Sequence, residues 1–195
     1  MIDHNICKVG LPEAANGEWS IEKFTVPKLA DASLVERIAM LRHELTGRPV
    51  TPGDYTRLLH GDEIIMSDTP AEIEDHRAFL NVLEITGGRV LVNGLGLGMA
   101  IKAALEVGVS HVDVVEIDPT LIALVAPCYD DPRVTIHEGD ALTFKWAENT
   151  TWDVVWHDIW PTICDDNLPE MKRLHRMYGH RCKWQGSWGR DFLEG

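Results

Sequence analysis

Three glycines and three carboxylates stand at intervals that suit a nucleotide. Gly94, Gly96 and Gly98 follow the apolar run RVLVN at 89–93. A glycine-rich turn after a strand bends without a Cβ penalty and brings backbone N–H groups close to a ligand. Glu116 ends a second apolar run, in VDVVEID at 112–118, and lies 22 residues after Gly94. A carboxylate roughly 20 residues beyond such a turn is where a ribose is held. Asp140, in the Gly139-Asp140-Ala141 that ends RVTIHEGDA, and Asp158, in WDVVWHDIWP, close two further runs. Ligands of open α/β sheets bind beyond the carboxyl ends of the strands, so these residues are expected at one crevice.

Asp158 is the catalytic candidate, because the strand that it closes is expected to face the glycine turn. A carboxylate there can take a proton from an incoming amine or stabilise positive charge building on a nucleophile. It can equally be a structural acid that caps the segment after it. Asp140 has the same two readings, a ligand or the cap of the next turn, since Asp is a favoured N-cap. His157 adjoins Asp158, but strand alternation sends it to the opposite side. His76, in the helix before the glycine run, can reach either pocket or surface, and Trp160 is a second candidate to touch a substrate.

The glycine spacing is G-x-G-x-G, with Met99 where a dinucleotide fold has its third glycine. In this the chain resembles the class I S-adenosylmethionine (SAM)-dependent transferases. The resemblance implies a Rossmann-like fold with the glycine turn at the methionine end of SAM. It places Glu116 and Ile117 at the ribose, and Asp140 and Ala141 at the adenine. Within that superfamily, residues 55 to 160 are similar to spermidine synthases and their methyltransferase relatives. The similarity rests on the segment YTRLLHGDEIIMSDTPAEIEDHRAFLNVLEITGG and on DDPRVTIHEGDALTF, and Asp158 matches the aspartate that those enzymes use as general base. Met66, Asp75 and Ile159-Trp160-Pro161 stand where those enzymes carry polyamine-binding residues. The expected activity is therefore methyl transfer from SAM to a small acceptor, by in-line displacement at the sulfonium and without a metal. Aminopropyl transfer, breakdown of SAM by a lyase or hydrolase, and a non-catalytic SAM-binding subunit are the alternatives.

These residues need a scaffold. The expected fold is α/β, a class I methyltransferase sheet that is parallel and shortened, with helices on both faces. A small N-terminal extension of strand, helix and hairpin (residues 1–85) precedes a SAM-binding domain (residues 86–195). The hairpin turns at His60-Gly61-Asp62, and Asp68, Thr69 and Pro70 start a helix. ADASLVERIAMLRHELTGRP predicts an amphipathic helix with Leu34, Ile38, Leu41 and Leu45 on one face and Gly47 at its end. LPEMKRLHRMYGHR predicts another, through Leu168, Met171, Leu174 and Tyr178. RCKWQGSWGRDF can add one short strand, with Trp184 and Trp188 in the core or beside a ligand. A second copy of the chain or the N-terminal segment is expected to cover the open sheet edge.

Composition bounds the rest. The chain has 195 residues, a formal charge of −13, 45% hydrophobic residues and four scattered cysteines. It reads as an ordinary soluble, cytoplasmic protein with reduced thiols, no signal peptide and no membrane span. The acidic balance argues against nucleic acid, although Lys172, Arg173, Arg176, Arg181, Lys183 and Arg190 reverse the local sign. No histidine or cysteine spacing points to a metal. A small-molecule substrate and a homo-oligomer are the expected partners.

Overall fold

The computed structural model describes residues 4–45 and 51–193. After a short turn of 3-10 helix at His4–Cys7 come β1 (Ala14–Asn16), β2 (Trp19–Val26), α1 (Leu34–Leu45), β3 (Gly53–His60) and β4 (Glu63–Ser67). These four strands form an antiparallel sheet in the order β1-β2-β3-β4. The β3–β4 hairpin turns at Gly61-Asp62, as the sequence signals predict. Helices α2 (Pro70–Asp75) and α3 (Arg77–Thr86) lead into the second sheet.

That sheet is built from β5 (Arg89–Asn93), α4 (Met99–Glu106), β6 (His111–Glu116), α5 (Pro119–Val125), β7 (Val134–Glu138), β8 (Trp152–His157), α6 (Leu168–Tyr178), β9 (Cys182–Ser187) and α7 (Arg190–Leu193). Its five strands are parallel and ordered β7-β6-β5-β8-β9. The chain runs outward from β5 to β7 and then returns to place β8 on the other side of β5. The strand order reverses at β5/β8, and a doubly wound sheet opens its ligand crevice at that switch point. This is the expected Rossmann-like α/β fold, a parallel sheet with helices on both faces.

Burial follows from the topology. Helices cover both faces, so the central strands read as near-continuous apolar runs. Val90, Leu91, Val92, Val154, Val155 and Trp156 are all at most 2% exposed. On one face Phe79, Leu80 and Leu83 of α3 and Ile101 of α4 form the core with Trp156. On the other, Met171, Leu174 and Tyr178 of α6 pack on Leu91 and Val155, as the helical spacing predicts. One acid interrupts the apolar sheet: Asp113 accepts from Arg89 Nε at 2.8 Å, Trp152 Nε1 at 2.8 Å and His137 Nε2 at 3.1 Å. Such matching is what makes a buried carboxylate tolerable.

Three expectations give way to different local structure. The helix after Asp68 is not continuous but breaks at His76, which has φ −90° and ψ 2° between α2 and α3. Asp68 accepts the N–H groups of Thr56 at 2.6 Å and Val9 at 3.1 Å, and Thr69 makes no side-chain cap bond. On α1, Leu34, Ile38 and Leu41 are exposed by 74%, 46% and 56%, so its apolar stripe does not enter the core. Gly47 and the Leu45 side chain lie outside the described residues. Finally, among the described residues the N-terminal strands are not packed along the β9 edge. Strands β1 and β2 pack on α5 instead, where Trp19 Nε1 donates to Asp118 Oδ2 at 2.8 Å and Asn16 Nδ2 to the Thr120 carbonyl at 3.0 Å. Among the described residues no helix is long and apolar enough to cross a membrane.

Candidate functional site

A cavity of about 660 Å³ opens at the carboxyl ends of β5, β6, β7 and β8. Its size is that of a small-molecule site. The floor is the glycine turn and the strand ends, and the N-terminal sheet supplies a wall through Trp19 of β2 and His60, Glu63, Ile65 and Met66 of the β3–β4 hairpin.

The turn is held from two sides. Gly94 donates its N–H to the Val115 carbonyl at 2.8 Å, and Asp158 donates its own to the Asn93 carbonyl at 2.7 Å, so the ends of β6, β5 and β8 are tied together. Gly94 has φ 102°, and a Cβ on it would overlap the Asp158 carbonyl oxygen. Gly96 has φ 48°, and a Cβ there would overlap Met66 Sδ, which itself accepts the Leu97 N–H at 3.1 Å. At both positions the backbone of the turn is packed so closely on its neighbours that only glycine fits. Gly98 is placed differently from the expectation. It is the N-cap of α4 and packs against Tyr129, and it does not line the cavity.

Glu116 ends β6 at 8% exposure on the cavity wall. Its Oε2 accepts the Leu95 N–H at 2.9 Å and its Oε1 the Asp118 N–H at 2.9 Å. The carboxylate therefore fixes the glycine turn while both oxygens keep acceptor capacity for hydroxyl donors. Ile117 is 65% exposed at the rim. Asp118, which sequence reasoning passed over, lines the cavity and caps α5, accepting from Thr120 N at 2.7 Å. The Asp-Pro at 118–119 was the available signal, since Pro favours the first turn of a helix behind an Asp cap. Asp140 also caps, accepting from Leu142 N at 2.8 Å, while it and the buried Ala141 line the cavity. Cap and wall are one residue here, so the two readings are compatible.

Asp158 and His76, 82 residues apart in sequence, meet on the opposite wall. His76 is 1% exposed, with Nε2 3.1 Å from Asp158 Oδ2 and Nδ1 2.9 Å from the Glu72 carbonyl. Burial alone drives the imidazole toward its neutral form. The hydrogen bond and charge of Asp158 oppose that, helped by the Glu72 carbonyl and the charge of Asp75, and lift His76 above the ordinary histidine value. Trp160 forms part of the wall and donates Nε1–H to Glu170 at 2.8 Å. Trp188 lines the same cavity, whereas Trp184 packs against the core on the face of Trp156. His157 is fully buried away from the cavity, between Asn93 Nδ2 at 2.8 Å and Gln185 Oε1 at 3.3 Å. Burial pushes it down to about 3, so it is neutral.

The electrostatics are one-sided. Glu63, Glu72, Glu116, Asp118, Asp140, Asp158 and Glu170 line the cavity, and among the described residues its lining has no lysine or arginine. Such a site favours a cationic or neutral guest and keeps phosphate outside.

No family model matches the chain. It is 46% identical over 63 residues to ribosomal RNA small subunit methyltransferase A of Aromatoleum aromaticum, covering 32% of this chain and 23% of that protein. The same enzyme of Dechloromonas aromatica is 48% identical over 54 residues, covering 28% and 21%. The chain thus spans under a quarter of the length of these curated relatives. Among solved structures, a SAM-dependent methyltransferase from Mesorhizobium loti aligns with 53% of this chain and 49% of its own at 17% identity and a TM-score of 0.41. The two curated relatives do not single out the spermidine synthases. They also overturn the expectation that nucleic acid is not a partner. That expectation rested on the charge of −13, a sum over the whole chain, while Lys172, Arg173 and Arg176 stand exposed together on α6.

Proposed function

We propose that the chain is a SAM-dependent methyltransferase that modifies a base of RNA. The observation that carries the donor half is Glu116, whose carboxylate holds the glycine turn open and faces the same cavity as Gly94, Gly96 and Asp140. Gly94 and Gly96 would receive the methionine end, Glu116 and Ile117 the ribose, and Asp140 and Ala141 the adenine. The sulfonium carries a positive charge, which an acidic lining favours, and it is activated for displacement without further chemistry. The protein's contribution is to hold donor and acceptor at attack distance and to take up the proton, with Asp158 as the base.

The acceptor half draws on the relatives' RNA substrates and on charge placement. Phosphates are excluded by the acidic lining, but a neutral base can enter when it is turned out of its strand. The exposed cations of α6 offer the backbone a path outside, and Arg173 reaches the Leu142 carbonyl, at the cavity edge, at 3.0 Å. Trp160 supplies an aromatic wall for the base. Aminopropyl transfer, SAM breakdown and a non-catalytic role gain no comparable support.

Calorimetric titration with SAM, followed by incubation with small-subunit rRNA and SAM labelled in its methyl group, tests the reading. Saturable binding and label in RNA with release of S-adenosylhomocysteine are expected. No SAM binding would sink the donor half, and SAM binding with unlabelled RNA would sink the acceptor half.

A further inference from the structure

The surroundings of His76 fix how many protons it can share with Asp158. Nδ1 faces the Glu72 carbonyl, which only accepts, so that nitrogen carries hydrogen whatever the charge of the ring. Two lone pairs face to face make no bond, so one proton belongs between Nε2 and Asp158 Oδ2. His76 is 1% exposed while the Asp158 side chain is 18% exposed, so that proton has its way out through the carboxylate, at the cavity wall.

We propose that Asp158 and His76 act as one base, with Asp158 touching the acceptor and His76 storing the proton behind it. The cavity then selects a nucleophile that arrives with a hydrogen to lose, an amino N–H or a hydroxyl, over a ring nitrogen whose lone pair is already free. This rests on the methyltransferase reading and names the acceptor class that it leaves open. The acceptor's lone pair forms the bond to the methyl carbon, and the carbon–sulfur bond breaks with its electron pair passing to sulfur. The N–H or O–H proton goes to Asp158 and on to Nε2. A cationic donor and an anionic pair thus become a neutral thioether and a charge-balanced carboxylate–imidazolium pair.

The working base is the pair that has first given its proton to solvent. Asp75 and the Glu72 carbonyl on α2 resist that loss, and the carboxylates of Glu72, Glu116, Asp140 and Glu170 face the same cavity. Arg77, the first residue of α3, is engaged by Glu74. His76 is a positioning residue in this scheme.

Two measurements on the full chain test it. Nitrogen-15 spectra of labelled histidines should show both His76 nitrogens protonated at pH 7, with Nδ1 staying protonated as the pH rises. In Asp158→Asn the ring should be neutral at pH 7. A neutral His76 in the wild type at pH 7, or a neutral ring protonated at Nε2, overturns the proposal. Methyl transfer to small-subunit rRNA should rise with pH along a limb above about 6.5, the ordinary histidine value. His76→Gln should lower kcat about 100-fold and move the limb into the carboxylate range, with SAM affinity unchanged. His76→Asn serves if the glutamine variant does not fold. A limb that stays in place, or a methyl group mapped to a ring nitrogen that carried no hydrogen, overturns the proposal. Failure to bind SAM or label RNA defeats the methyltransferase reading instead, and the nitrogen spectra still decide the pair.

Discussion

Gly94 lies so close beneath Asp158 that a β-carbon on the glycine would occupy the place of the Asp158 carbonyl oxygen. The turn expected to hold the donor and the residue expected to act on the acceptor are therefore one packed unit.

Gly94→Ala should accordingly damage more than the turn. With φ 102° and no room for a methyl group, it should displace the end of β8 and remove SAM binding. Calorimetry of binding beside a thermal melt checks this, and a variant that binds SAM normally would show that the two segments move independently.

Glu116→Gln replaces an acceptor that serves two backbone N–H groups with one that can serve only one. A charged hydrogen bond is worth about 1.5–3 kcal/mol, so SAM affinity should fall by about 10- to 100-fold. Titration of wild type and variant side by side decides it.

Trp19→Phe keeps the apolar body but removes the donor that ties the N-terminal sheet to Asp118. A stability loss of about 1 kcal/mol is expected, together with weaker SAM binding because a cavity wall loosens. Urea melts and titration separate the two effects.

Stability should decline on both sides of neutrality. Asp113 is burdened by burial but stabilised more by Trp152, His137 and Arg89, which together hold its carboxyl below the usual range. Its contribution is complete above the unfolded carboxylate value and lost as the pH falls through the folded one. His76 is raised, so its contribution is complete below the unfolded histidine value and lost as the pH rises through the folded one. Asp113→Ala should cost about 1–3 kcal/mol by leaving the buried Trp152 Nε1–H without its acceptor, and Asp158→Asn should remove the alkaline decline. Denaturant melts across the pH range test both.

Neutralising Lys172, Arg173 and Arg176 together should weaken RNA binding at low salt and flatten its salt dependence while leaving SAM affinity intact. Filter binding at several salt concentrations reads this directly.

The crevice at the strand ends was legible because its signals are local. An apolar run, a glycine turn and a terminal acid lie within one βαβ unit, and Gly94 with Glu116 needs only 22 residues to declare itself. The His76–Asp158 pair was not legible, since its partners come from two distant segments and the break that turns His76 inward carries no proline or glycine signal. Periodicity in α6 named Met171, Leu174 and Tyr178, which are buried, whereas the same pattern in α1 named Leu34, Ile38 and Leu41, which stay exposed. Hydrophobic spacing reports a shared helix face, and only the tertiary fold decides what lies opposite.

The union of Trp19 with Asp118 also bears on how the molecule comes into being. Those residues are 99 apart, and the cavity wall runs on to Trp188. Contacts of such long range must wait for loop closure to be overcome, so local helices and hairpins can form early while the binding pocket assembles late. A ligand of that pocket would then bind only the finished fold, and would protect it from reopening in proportion to its concentration.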